Sequence, residues 1–444
     1  MLTAILRTAR RGSLTLAAVI AIATAMLLTT PAFAEALLDD SKTTEEAQHS
    51  KQAEAKVDAP ADISANDKGL VIKTPDDGFI FAFGGRLQFD AGVFMQDQTK
   101  LGDGSEIRRG RIKSYGTLWT NWDYKLEVNF DPDLDVPITD GWLRYSGYES
   151  FSLTLGHQKV PFGQSSMTSS NWQVFQERAL ADAFIDNSEQ GRRRLGVVLA
   201  SHGDMWSYAG GVFSGGLGDS GAEDEDFGTG HRFVFAPVAE KTKVAAIGGS
   251  VVYRNFRSPS ELRFRARPEA HVAGPRLVDT GVLEASREVL MYNVEATVVA
   301  GRFHAQAEYA ATHIRRGMGQ QNLTLTGFYV QAGAFLTGES RNYDQKSGKY
   351  KRIVPKHAAL GAWELAARFS QIDLTDRTLL GGVQRDVTVA LNWWVNANVM
   401  FRFNYVYGDT GSNSNIPTSD PGRMGTAGQN ERIHAFSARA QIVF

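Results

Sequence analysis

From Phe81 to Phe444, apolar and polar residues alternate with a period of two, again and again. Trp122, Tyr124, Leu126, Val128 and Phe130 interleave with Asp123, Lys125, Glu127 and Asn129. Phe303, Ala305, Ala307 and Tyr309 interleave with Arg302, His304, Gln306 and Glu308. The same pattern sets Trp363, Leu365, Ala367 and Phe369 against Glu364, Arg368 and Ser370. It sets Val399, Phe401, Phe403, Tyr405 and Tyr407 against Arg402 and Asn404, and Phe436, Ala438, Ala440, Ile442 and Phe444 against Ser437, Arg439 and Gln441. A strand sends successive side chains to opposite faces, so each segment predicts one apolar and one charged face.

A soluble sandwich would also alternate. Three features favour a membrane barrel. The strands run to about ten residues, enough to cross a bilayer tilted at ~45°. Trp119, Trp122, Trp393, Trp394, Tyr405 and Tyr407 crowd the strand ends, as interfacial girdles do. Connections alternate in length: Thr120-Asn121, Gly147-Tyr148-Glu149 and Asn396-Ala397 read as tight turns, whereas 161–190, 214–230, 256–287 and 410–430 are long. A coarse count gives about sixteen antiparallel strands, enough to leave an aqueous channel. The basic stretch 338–359 breaks the pattern, being long where a short turn is due.

Composition agrees. Hydrophobic residues make up 43% of the 444, yet mean hydropathy is only −0.25, because one face of each strand meets lipid. The start reads as a secretory signal over residues 1–34: Arg7, Arg10 and Arg11, an apolar run over 14–28, and Ala32-Phe33-Ala34 as the cleavage site. Residues 35–80 read as a polar periplasmic leader, flexible or with one helical stretch near 43–57. Residues 81–444 form the barrel.

The formal charge of −2 is unevenly spread. The three arginines of the signal leave −5 for the rest, and residues 35–80 take −6 of it with eleven acids against five lysines. Residues 81–444 are thus near +1, which offers nothing to a nucleic acid. With no cysteine there is no disulfide frame, thiolate metal site or cysteine nucleophile. The nine histidines lack HExxH spacing, and Gly163-Gln164-Ser165 lacks a nucleophile-elbow frame. No enzymatic role and no cofactor are expected.

Several segments in order resemble one family. They are Arg108-Arg109-Gly110-Arg111, Trp122-Asp123-Tyr124-Lys125-Leu126-Glu127, Leu153-Thr154-Leu155-Gly156-His157-Gln158-Lys159-Val160-Pro161-Phe162, Gln176-Glu177-Arg178-Ala179-Leu180, Arg263-Phe264-Arg265-Ala266-Arg267-Pro268-Glu269, Phe335-Leu336-Thr337-Gly338-Glu339 and Gly361-Ala362-Trp363-Glu364-Leu365. Together they resemble the phosphate-selective porin O and P family, over roughly residues 81–444. Phe444 resembles the terminal signal read by the outer-membrane insertion machinery. The resemblance implies a homotrimer of sixteen-stranded barrels in the outer membrane, an arginine-lined approach, an inward-folded loop, and passive diffusion of small anions such as phosphate or pyrophosphate.

The residues themselves point to candidates for an anion path. Arg263, Arg265 and Arg267 recur at every second place, so an extended segment would aim all three one way. Arg109, Arg111 and Lys113 share one parity, and Lys125 faces inward on the next strand. Ion pairing with Asp123 and Glu127 is the structural alternative for that set. A solvated basic loop, or one meeting lipopolysaccharide phosphates, is the alternative for the arginine triplet. The constriction segment 163–190 holds Arg178 against Glu177, Asp182, Asp186 and Glu189, a departure from a phosphate-selective eyelet. A general, weakly selective porin and a structural or adhesive barrel stay open as other readings.

Overall fold

Charge is inside and grease outside. Phe403 is 46% exposed, while Asn404 beside it is 3% exposed and Arg402 is 1% exposed. That inverted pattern suits a wall with lipid on one side and a polar lumen on the other. The computed structural model describes residues 61–66, 69–97, 101–130, 138–186, 191–215, 226–411 and 430–444. The signal reading and the helical stretch near 43–57 lie outside the described residues, as does Glu189.

Sixteen strands make the wall: Ile80–Gln96, Gly104–Leu118, Trp122–Asn129, Ile138–Tyr145, Phe151–Lys159, Arg193–His202, Trp206–Phe213, Phe227–Ala239, Lys243–Leu262, Leu283–Ala300, Phe303–Arg316, Leu323–Phe335, Ala362–Asp376, Leu379–Trp394, Val399–Thr410 and Glu431–Val443. Each pairs antiparallel with the next. The sixteenth pairs with the first, from Ile433↔Gln96 to Val443↔Arg86, and closes the barrel. The sixteen expected strands are therefore present, and closure leaves no open edge in the wall.

Differences from the expected layout have local causes. Residues 62–73, within the segment read as a leader, form a hairpin of Asp62–Asn66 and Gly69–Lys73 that extends the sheet from the start of the first strand. Its strands are five residues each, too short to show a sustained period. The thirteenth and fourteenth strands join through Arg377 and Thr378 alone, on the side of the long loops. The basic stretch read as an anomaly is a long connection, 336–361, on the side of the termini and short turns. By the usual orientation of such barrels that side is periplasmic.

This connection folds back into the lumen. Arg232 donates to the carbonyls of Ser347 and Gly348, at 3.0 and 2.6 Å. Gln345 Nε2 donates to Gly203 O at 2.7 Å. From the opposite side the loop 160–192 also turns inward. Its short 3-10 helix, Leu180–Phe184, buries Leu180 and Phe184 among Phe264, Met291, Ile314 and Leu325. The buried apolar core of this molecule thus lies within the lumen, where loops meet wall.

Candidate functional site

The loop 160–192 is bolted to the wall at both ends of its inward course. It leaves the fifth strand at Lys159, whose Nζ donates to the carbonyls of Ser166 and Met167. Gly163 then crosses to the opposite wall in a left-handed conformation, φ 58°. A Cβ there would lie 2.4 Å from Glu308 Oε2, so glycine is the residue that fits. Its N–H donates to Ser250 Oγ at 3.0 Å, and Ser165 N–H donates to Glu308 Oε1 at 2.7 Å.

Beyond that point, wall arginines grip loop carbonyls. Arg402 Nη2 donates to Gln173 O at 2.6 Å, Arg439 Nη1 to Gln176 O at 2.6 Å, and Arg368 Nη2 to Glu177 O at 3.0 Å. These three buried arginines help hold the loop, while Arg439 also pairs with Asp90 of the wall and Arg368 with Glu269. Alternation marks them as inward but cannot say what they touch.

Glu177 sits where three arginines converge. Arg108 takes both its oxygens, Nε–Oε1 at 3.0 Å and Nη2–Oε2 at 3.2 Å; Arg439 Nη2 lies at 2.7 Å and Arg109 at 3.7 Å. Burial alone would raise the Glu177 carboxyl, but Arg108, Arg109 and Arg439 hold it well below the usual range. Arg108 reaches it through a β-bulge: Gln88 pairs with Arg109 while Phe89 pairs with Ile107. The extra residue lets two successive arginines point into the lumen, which strict alternation forbids.

The early strands carry a second network. Glu127 is met by Arg86 at 3.1 Å, Arg111 at 2.8 Å and Lys125 at 3.3 Å. Asp140 is met by Lys125 at 2.5 Å and Arg193 at 2.8 Å. Four bases thus stand on two acids, so pairing leaves positive charge over. Lys113 lies against the Tyr115 ring, 4.3 Å from its centroid, and lines neither of the cavities described next.

Among the described residues, two cavities stand out in the lumen. The larger, about 700 Å³, spans the early strands and the inward connection; among the described residues fourteen Lys and Arg line it against three acids, Glu127, Asp140 and Asp186. Arg109, Arg111, Lys125 and Arg178 belong to it, together with Lys346, Lys349 and Lys351 of the connection. The smaller, about 340 Å³, is lined by Arg263, Arg265 and Arg267 and by Arg276. Arg108, Arg178 and Asp186 line both, so the two meet there.

The arginine triplet shares that smaller cavity but is not uniform. Arg263 is clamped on Asp279, its Nη2 at 2.5 Å. Arg267 Nη1 donates to His271 O at 2.7 Å and Ala273 O at 3.2 Å. Arg265 and Arg276 have neither a hydrogen bond nor an ion pair among the described residues. Sequence reading missed Arg276, a lone base with no periodic neighbour. It also missed the three lysines of the connection, whose place inside the lumen depends on a fold-back that no local pattern encodes.

A sequence profile of the family described as phosphate-selective porin O and P matches residues 81–444. The chain belongs to that family. Porin O of Pseudomonas aeruginosa is 28% identical to this porin over 424 residues, covering 86% of this chain and 93% of Porin O. An uncharacterized protein of Caulobacter vibrioides is 31% identical over 345 residues, covering 72% of this chain and 67% of the relative. Among solved structures, outer-membrane expressed OmpT of Vibrio cholerae matches with a TM-score of 0.51 at 11% identity, over 82% of this porin and 98% of that chain. That likeness speaks for the fold, a closed β-barrel. Porin family and closed barrel together make it a protein of the outer membrane.

Proposed function

We propose that this porin passes small anions, with phosphate, pyrophosphate or related oxyanions favoured. The observation that supports it most is the lining of the larger cavity, fourteen bases against three acids among the described residues, in a barrel whose overall charge is near zero. Low-dielectric walls focus such a local excess, so it acts on an ion where bulk charge would not. Guanidinium forks match oxyanion geometry, and many weak contacts in series let an ion move on. The described acids of the constriction loop, which point toward a general porin, are engaged. Glu177 is held by three arginines, and Asp182 and Asp186 stand 3.4 and 3.3 Å from Arg192.

Adding phosphate to a single channel carrying chloride tests this. Occupancy of the cationic path should depress the chloride current in a saturable way. An unchanged current at millimolar phosphate would mean a general porin.

A homotrimer is part of the proposal. The third to seventh strands have 8, 8, 9, 10 and 8 residues, against 12 to 20 in the eighth to sixteenth. An eight-residue strand tilted at ~45° rises about 19 Å, short of the ~25 Å apolar band. Neighbouring copies would cover that low sector; cross-linking across it should trap trimers. On the tall sector, Arg315 and Arg432, with side chains 63% and 64% exposed at the outer ends of their strands, suit lipopolysaccharide phosphates. Reading residues 1–34 as an export signal and 35–80 as a periplasmic leader, with the hairpin 62–73 at its end, completes the proposal.

A further inference from the structure

The far wall of the lumen holds a polar cluster that lines neither cavity. At its centre is Glu364, on the thirteenth strand, with a fully buried side chain. Its carboxylate accepts from Arg341 Nε at 2.8 Å and Nη2 at 2.7 Å, and from Asn392 Nδ2 at 2.7 Å. His304 Nε2 stands 2.7 Å from Oε1. Arg341 belongs to the inward periplasmic connection. Asn392 belongs to the fourteenth strand.

Each of these two donors has a second N–H, and each spends it on the constriction loop. Arg341 Nη1 donates to Trp172 O at 3.0 Å, and Asn392 Nδ2 donates to Val174 O at 2.7 Å. A guanidinium is a rigid planar fork: once Nε and Nη2 lie on a carboxylate, the direction of Nη1 is set. A side-chain amide is fixed likewise when one N–H is committed. One carboxylate therefore aims both hydrogen bonds, onto carbonyls two residues apart. Arg341 is further enclosed by the rings of Phe335, Tyr350 and Trp394, at 5.3 to 5.7 Å, and Arg352 of the same connection lies 5.1 Å from the Trp172 ring. The two inward segments, one from each side of the membrane, thus touch at Trp172.

We propose that Glu364 is a positioning residue for the constriction, and that it locks the inward loop and the inward connection to the wall as one unit. The passage is then bounded by two segments that hold or loosen together. The inference rests on the porin fold and holds whichever ion passes.

The chain has no cysteine, so single spin labels can report on each segment in the full-length protein in liposomes. Ser169→Cys places one on the loop and Lys346→Cys places one on the connection; both positions line the larger cavity. Adding Glu364→Gln should raise the mobility of both labels, raise single-channel conductance and add noise to the open state. The barrel should still migrate as a folded, heat-modifiable species. Glu364→Asp, which keeps the charge, should restore part of the immobilised component. Asn392→Ala should loosen the loop label alone. If Glu364→Gln leaves either label as immobile as before in a folded barrel, the shared lock does not exist. Should that variant fail to insert, Arg341→Lys still decides. Lysine keeps a charge for Glu364 but lacks the fork, so the loop label should loosen; an unchanged loop label overturns the proposal.

Discussion

Arg108 and Glu177 share a two-point ion pair, 3.0 and 3.2 Å long, at the level where the two lumenal cavities meet. The pair neutralises the acid that would most oppose an anion there. Glu177→Gln should free Arg108 and Arg109 for the permeating ion. Block of chloride current by phosphate should then strengthen, and zero-current potential should shift further toward anions. A shift toward cations would mean that Glu177 serves the field rather than restrains it.

The same pair sets a pH dependence. Folded Glu177 lies well below the ordinary value of 4.5. A carboxylate depressed in this way keeps its pairing above the ordinary value and loses it only as pH falls through the lower folded one. Anion preference should therefore stay flat from neutral pH down to about 4.5 as far as Glu177 is concerned. Bilayer recordings stepped from pH 7 to 3 would show it, a change near pH 4.5 to 5 counting against this assignment.

Facing can be tested at neighbouring residues. Phe403 points outward from the fifteenth strand. Phe403→Arg at mid-membrane depth should cost about 2–4 kcal/mol and lower the folded fraction in a urea titration. Ser152→Lys, on the lumenal face of the fifth strand within the larger cavity, should fold normally. The reverse result would turn the wall inside out.

Gly163 is the hinge on which the loop enters the lumen. Gly163→Ala demands a left-handed φ of a residue with a Cβ and sets that carbon 2.4 Å from Glu308 Oε2. About 1–3 kcal/mol of local strain should displace the loop and leave the barrel standing. Conductance should rise while heat-modifiable migration is kept. A channel of unchanged conductance would show that Gly163 is not the hinge.

Within the smaller cavity the arginines should not be equal. Arg265 and Arg276 are unengaged among the described residues, whereas Arg263 is neutralised by Asp279. Arg265→Ala with Arg276→Ala should weaken phosphate block more than Arg263→Ala does. Equal effects would favour a ladder in which spacing alone matters.

That contrast shows where reading from the chain stops. Facing was legible wherever alternation persists, as in the run ending at Phe130 or around Phe403, because side-chain period and lipid contact are the same constraint. The sixteen strands followed from it. Arg108 was not legible, since a bulge shifts parity without changing composition. Nor was the fold-back of 336–361: Arg341 is held by Glu364 and Trp172, partners 23 and 169 residues away. Pairings at such separations are set by closure of the barrel. The engagement of Arg263 with Asp279 likewise depends on a two-residue strand pair that has no periodic signature.

Zero-current potential across a KCl gradient tests the central claim most directly. Purified full-length protein would be reconstituted in a planar bilayer of neutral lipid, so that only the lumen supplies fixed charge. A cavity lined, among the described residues, by fourteen bases against three acids should give a potential of the sign set by chloride, and phosphate on one side should move it further in that direction. A potential of the sign set by potassium, or one near zero that phosphate leaves unmoved, would contradict the account.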